Sequence, residues 1–231
     1  MATCINCGHE GDGKYCSECG QPYTPKRITM SGLLHDVTHT FTHLDKGFGY
    51  TLKELAIRPG KMQKRYLEGF RAKHQKPFSM FVICATLTSL AFYWISKRDT
   101  LTHLDETRNN FFLNYFVFLQ ALLIPFYTFL VWLFFRKKKF YYAELLTMQV
   151  YTISFLFLLL VPINLINLIP PHRFPANYAE ISVLTLYAIW TNLNFFSTEP
   201  AWLVIVKSAI TLVIGWYVST TVADLIVHWM M

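Results

Sequence analysis

The fold class that this sequence predicts is an all-α polytopic membrane protein of about five transmembrane helices, led by amphipathic interfacial helices and a small N-terminal cysteine module. Three observations predict it. Long apolar runs fill the chain after Pro77, an apolar stripe at helical spacing runs through the polar segment before it, and two Cys-x-x-Cys pairs stand near the start. Only 15% of the 231 residues are charged, against about 25% in a soluble domain. The charges are also uneven: twelve of the 21 Lys and Arg precede Pro77, and few follow Lys139. A basic, polar first third joined to an apolar remainder is the composition of an integral membrane protein with a soluble N-terminal part.

The first element, residues 1–25, contains Cys4-Ile-Asn-Cys7-Gly8 and Cys16-Ser-Glu-Cys19-Gly20. Each Cys-x-x-Cys-Gly turn aims two thiolates at one ion, and the glycine fits the tight turn that frees backbone N–H groups to bond sulfur. Cys4, Cys7, Cys16 and Cys19 are therefore expected to hold a structural zinc, closing a tetrahedral site with no open position. So short a segment cannot fold on its own core, and the metal would supply most of its folding free energy. The competing reading is a pair of disulfides in an exported mini-domain. Against it, the start MATCINCG shows neither a charged n-region nor an apolar h-region, and the positive flank places this end in the reducing cytosol. Insertion is then expected to rely on the first span. Cys84, in an apolar run, reads as a buried small side chain.

Residues 26–77 read as basic, amphipathic juxtamembrane helices. In the first, Leu33, Val37, Phe41, Leu44 and Phe48 repeat at steps of three and four, with Ser31 placed to cap the helix and Gly47 and Gly49 to end it. A second covers about Thr51–Ala56 and stops near Arg58-Pro59-Gly60. A third runs from about Gly60 to Ala72, with Met62, Tyr66, Leu67 and Phe70 on one side among basic residues. That is the make-up of a helix lying in the membrane interface. Lys61, Lys64, Arg65, Arg71, Lys73 and Lys76 are expected to meet anionic lipid headgroups, a better fit for a net charge of +7 concentrated beside a membrane span than nucleic acid is.

The first helix also carries His35, His39 and His43 at strict four-residue spacing. Successive members drift about 40° around a helix, so adjacent pairs can chelate one metal while all three cannot easily reach a single ion. Asp36 or Asp45 could add a carboxylate. The stretch HDVTH has Asp where a zincin needs its catalytic Glu, and a third ligand from downstream, such as His74, requires the fold to bring it in. The ladder is thus a candidate second metal site, a headgroup or proton sensor, or simply the hydrated face shared with Thr38, Thr40 and Thr42.

The membrane bundle, residues 78–231, has spans at about 78–96, 111–135, 145–169, 181–196 and 202–223, each near the roughly 20 residues a bilayer core requires. The fourth is short and contains Asn192 and Asn194. The two strongly positive segments, Lys61–Lys76 and Arg136–Lys139, fall on one side of a five-span layout, which puts the N-terminus in the cytosol and the C-terminus outside. Lys207 is expected to snorkel to the cytosolic interface, with Asp224 and His228 at the outer end. Asn164, Asn167, Asn192 and Asn194 read as hydrogen-bonding glue between helices. Pro125 and Pro162 should kink their spans.

The stretch LDKGFGYTLKELAIRPGKMQKRYLEGFRAKHQKPFSMFVI resembles the bacterial membrane proteins of domain-of-unknown-function family 3667. The matching positions are Leu44, Asp45, Gly47 and Phe48, then Thr51 and Leu52, Pro59 and Gly60, Tyr66 and Gly69, and Pro77 and Phe78. Phe70-Arg71 stands where members often have Lys-Arg or His-Arg. The resemblance runs from Cys4 to about Phe92 and implies a zinc ribbon ahead of a bacterial inner-membrane bundle, with no activity to carry over. The overall layout is similar to Yip-type five-span membrane proteins, an analogy of plan alone. The leading functional reading is a non-enzymatic scaffold or adaptor that recruits a protein partner at the membrane, with homo-oligomerisation compatible with it. The alternatives are a metal-dependent membrane hydrolase or lipid-modifying enzyme using His35, His39, His43, Asp36 and Asp45, and a transporter or lipid-moving protein using the kinked spans and asparagines.

Overall fold

In the computed structural model, residues 1–39, 47–99, 106–136, 140–167 and 176–230 are described. Two short strands, β1 (Ala2–Thr3) and β2 (Glu10–Gly11), pair antiparallel with Ala2 opposite Gly11. Three short helices follow, α1 (Met30–His39), α2 (Phe48–Ile57) and α3 (Lys61–Glu68), and then five long ones: α4 (Pro77–Asp99), α5 (Glu106–Phe134), α6 (Tyr142–Asn167), α7 (Ala176–Phe195) and α8 (Ala201–Met230).

Four of the long helices, α4, α5, α6 and α8, are long and apolar enough to cross a membrane. Their apolar stretches overlap the expected spans, although α5 begins five residues before its expected span at Phe111. α7 is a continuous helix of 20 residues packed against α6 and α8. The bundle is organised around α6, whose membrane stretch is 67% buried, while that of α8 is 22% buried. α4, α5 and α7 all pack on α6, and α8 rides on α5 and α7. Large apolar side chains face outward on all five long helices, among them Leu90 and Trp94 on α4, Phe118 and Leu122 on α5, Leu186 on α7, and Trp202, Val213 and Trp216 on α8. Such continuous apolar exposure suits a lipid solvent.

Hydrogen bonds fix how the long helices run. Asn164 Nδ2 donates to Glu180 Oε1 at 2.8 Å, joining the end of α6 to the start of α7. Asn192 Nδ2 donates to Ser208 Oγ at 2.9 Å, joining the end of α7 to α8. Asn164 and Asn192 thus act between helices, whereas Asn194 bonds the Trp190 carbonyl of its own helix. Lys207, expected to snorkel, is engaged within the protein: its Nζ lies 2.8 Å from Glu199 and 4.9 Å over the Phe135 ring.

The short helices depart from the sequence reading at their ends. α1 is capped by Thr29, whose Oγ1 accepts from the Gly32 N–H at 3.3 Å, so Ser31 lies inside the helix. Gly47 precedes α2, and Gly49 is part of it. A side chain at Gly47 would stand 2.8 Å from the Lys73 carbonyl oxygen, so the glycine serves a close crossing of two backbones. α3 stops at Glu68 because Gly69 turns left-handed, φ 114°, and the Phe70 N–H bonds back to the Arg65 carbonyl at 3.0 Å. This is a Schellman termination. The apolar stripe expected to enter lipid from α3 is instead packed inside the protein: Met62 is 1% and Tyr66 6% exposed, and Tyr66 meets Tyr151 of α6 edge-on with ring centroids 5.3 Å apart.

Candidate metal centre

The two cysteine turns are built alike. The Gly8 N–H returns to the Cys4 carbonyl at 2.8 Å and the Gly20 N–H to the Cys16 carbonyl at 2.9 Å. Both glycines sit at positive φ, 79° and 70°, which a side chain would strain. In the same pattern, the Cys4 N–H bonds the His9 carbonyl and the Cys16 N–H the Gln21 carbonyl, each at 2.8 Å. Each turn therefore wraps its own backbone around the first cysteine, leaving the sulfurs to converge between the two turns.

The ligand atoms of Cys4, Cys7, Cys16 and Cys19 all lie within 4.8 Å of one another. The Cys4–Cys19 sulfurs are 3.6 Å apart and the Cys7–Cys16 sulfurs 3.5 Å. A tetrahedron with metal–sulfur bonds of 2.3 Å has edges of about 3.8 Å, so the donor set fits one four-coordinate ion. Backbone N–H groups favour thiolate at Cys4 and Cys16, whereas at Cys7 the His9 amide is outweighed by burial and the neighbouring sulfurs, which push the thiol up to about 12. The Cys7 and Asn6 amides hold the Cys4 thiol below its ordinary range. Burial pushes Cys16 up, but the Cys19 and Glu18 amides prevail and bring it down to about 6. Thiolate is the metal-binding form. Four protein sulfurs leave no open coordination position, so the centre is suited to holding structure. Tyr23 packs with Cys4 and Cys16.

The module is bonded into the bundle through residues that local sequence patterns do not mark. Buried Gln21, whose backbone holds Cys16, donates from Nε2 to the Gly69 carbonyl at 2.7 Å. Its Oε1 accepts from the Arg71 and Ala72 N–H groups, both at 3.0 Å. A side chain on Gly69 would stand 2.6 Å from Pro25 Cγ. Farther on, Arg27 forms a two-pronged bond to Glu144 at the start of α6, at 2.6 and 2.9 Å, while its guanidinium lies 3.6 Å over Tyr141. Arg27 and Glu144 are separated by 117 positions; only the fold could pair them.

Beyond Gln21 the α3–α4 connection enters a buried polar layer. The Gln75 N–H donates to Thr51 Oγ1 of α2 at 2.8 Å, and the Tyr151 hydroxyl donates to the Gln75 carbonyl. Gln63 of α3 donates to Thr152 of α6 at 3.1 Å. His74 lies against Tyr50 and Tyr66, with ring centroids 5.1 and 6.3 Å away, and burial pushes its imidazole down to about 4. His74 is thus placed among aromatic rings and away from the cysteine set. The backbones of His35, Asp36 and His39 lie in α1; their side chains, with His43 and Asp45, fall outside the described residues.

Residues 45–88 match a family described as a protein of unknown function, DUF3667. No curated protein and no solved structure matches the chain. The family match covers α2, α3 and the first half of α4, which is the part of the molecule on which the cysteine module docks.

Proposed function

We propose that this protein is a five-span scaffold or adaptor of a bacterial inner membrane, with a structural zinc at Cys4, Cys7, Cys16 and Cys19 and its N-terminus in the cytosol. The observation that carries this reading is the clasp by Gln21, which joins a closed four-thiolate centre to the mouth of the bundle. A metal site with no open position, held rigidly where the chain meets the membrane, is suited to presenting a surface. The outer side of the module offers Tyr15, 65% exposed, to a protein partner.

α7 supplies the fifth crossing. It runs antiparallel to α6, with Glu180 beside Asn164 at one end and the Thr191 and Phe195 backbones against Gly60 at the other. At 1.5 Å per residue, its 20 residues reach about 30 Å, the thickness of the hydrocarbon core. The cytosolic assignment of the cysteine module rests on the exposed cations at its end of the molecule, Lys61, Arg65, Lys73, Lys76 and Arg136, by the positive-inside rule. Lys64 and Arg71 are less exposed, and Arg71 Nε turns back to the Tyr66 carbonyl at 3.0 Å. The more exposed members of the set meet anionic headgroups.

The metal content of the purified chain tests the proposal. One zinc per chain, lost in the Cys4→Ser, Cys7→Ser double variant, is the expected result. A second metal that disappears on His39→Ala would replace the scaffold reading with that of a metal-dependent enzyme built on the histidine ladder.

A further inference from the structure

We infer that the outer face of α2 is a lipid anchor, in which Tyr50 and Ile57 enter the acyl boundary while Lys53 and Arg58 hold anionic phospholipid headgroups. The inference rests on the membrane placement proposed above and moves the anchoring surface from α3, where the sequence pattern puts it, to α2.

Two observations carry it. The first is the division of α2 into faces. Thr51 and Leu55 are fully buried, and Phe48 and Leu52 pack on the main core. On the opposite side Tyr50 is 43% and Ile57 54% exposed, and Lys53 between them and Arg58 just beyond are exposed as well. Positions 50, 53 and 57 follow the three- and four-residue steps of one helical face. An aromatic and a β-branched residue flanking a lysine is an unfavourable surface to present to water and a favourable one at a headgroup boundary, where the lysine stem can reach outward. Glu54, half-buried, lies at the edge of this face.

The second is depth. The Tyr187 hydroxyl donates to the Leu55 carbonyl at 3.1 Å, and the Tyr187 ring stacks on Phe155 at 4.9 Å. Two residues along α6, Phe157 meets Phe81 of α4 at 5.7 Å. Leu55 is therefore level with the first turn of α4, about 3 Å past Pro77 at 1.5 Å per residue. A helix whose backbone lies near the boundary can reach with its apolar side roughly 5–10 Å into the headgroup–acyl region, as interfacial helices do. α2 is fastened there by Thr51, which accepts from the Gln75 N–H just ahead of α4. Its outer face carries charge of the sign that anionic lipids attract, Lys53 and Arg58 both being exposed.

Photocrosslinking of the full chain in lipid nanodiscs tests this. The crosslinker p-benzoylphenylalanine is placed at Ile57, and in a second protein at Val213, which is 66% exposed on α8. The discs contain phosphatidylcholine alone or mixed with phosphatidylglycerol, and adducts are identified by mass. At Ile57 we expect lipid adducts enriched in phosphatidylglycerol over its share of the disc by about fivefold, the worth of one cation near an anionic surface. Lys53→Ala with Arg58→Ala should return that ratio to the bulk value, while adducts at Val213 show no enrichment. Lipid adducts at Val213 with only peptide or no adducts at Ile57 would overturn the anchor and leave the membrane reading intact. Unenriched lipid adducts at Ile57 would overturn the headgroup preference. A failure to label lipid at both sites would overturn the membrane placement itself. A crosslinker at Tyr50 gives an independent reading if the protein labelled at Ile57 does not fold.

Discussion

His74 is a titratable side chain that the fold keeps from its ordinary behaviour. Burial holds its imidazole down at about 4, with Glu54 drawing it up and Arg65 pressing it down, against about 6.5 in an unfolded chain. The folded protein excludes a proton that the unfolded chain accepts. Stability should therefore fall as the pH drops through 6.5 and level off below about 4. Thermal unfolding in detergent across that window should show the loss, and His74→Asn should flatten it; an unchanged slope in the variant would assign the pH dependence elsewhere. Gly69 and Gly60 act through backbone geometry. At Gly60, φ 76°, a side chain would stand 2.2 Å from the Thr191 carbonyl oxygen, so the Pro-Gly turn between α2 and α3 lets the chain lie directly on α7. The sequence marks such a turn; it carries no mark of the neighbour that requires it.

At the scale of elements, the cysteine module and the α3–α4 connection form one mechanical unit. Gln21 bonds Cys16 through its carbonyl and three backbone groups of the connection through its side chain. Gln21→Ala would leave those groups without their partner, a loss of about 2 kcal/mol when such bonds are mostly buried. Hydrogen exchange should then rise across residues 69–76 while the metal content stays at the wild-type level. Unchanged protection there would show that Pro25 and Arg27 alone hold the module. α3 illustrates how an amphipathic pattern can be read correctly and placed wrongly. Its apolar stripe is real, but Met62 and Tyr66 are buried, Tyr66 against Tyr151 of α6, and an exposed mixture of apolar and basic residues is on α2.

For the whole molecule, the arrangement of α6 at the centre and α8 at the periphery governs which surfaces meet lipid. The five-span reading makes a topological prediction. A reporter active only in the cytosol should work when fused ahead of Met1 and fail when fused after Met231. Activity at both ends would mean an even number of crossings and would remove α7 from the set. α7 is the helix on which this turns, because its polar residues serve packing: Asn192 bonds Ser208, and Thr191 and Asn192 are buried. Those residues lower its apolarity for a structural reason.

The sequence alone determined the elements whose causes are local. Apolar runs of sufficient length specify long helices, because a backbone in lipid must satisfy its own hydrogen bonds. Two Cys-x-x-Cys-Gly turns specify converging sulfurs, because the turn itself aims them. The tertiary structure alone decided what those elements do to one another. It brought Arg27 to Glu144, Gln21 to Gly69 and Tyr151 to Gln75, and it chose which amphipathic face to bury. These are contacts between distant positions, where partners are selected by packing geometry and buried polar groups by the need for a bond. Neither requirement leaves a periodic trace in the chain.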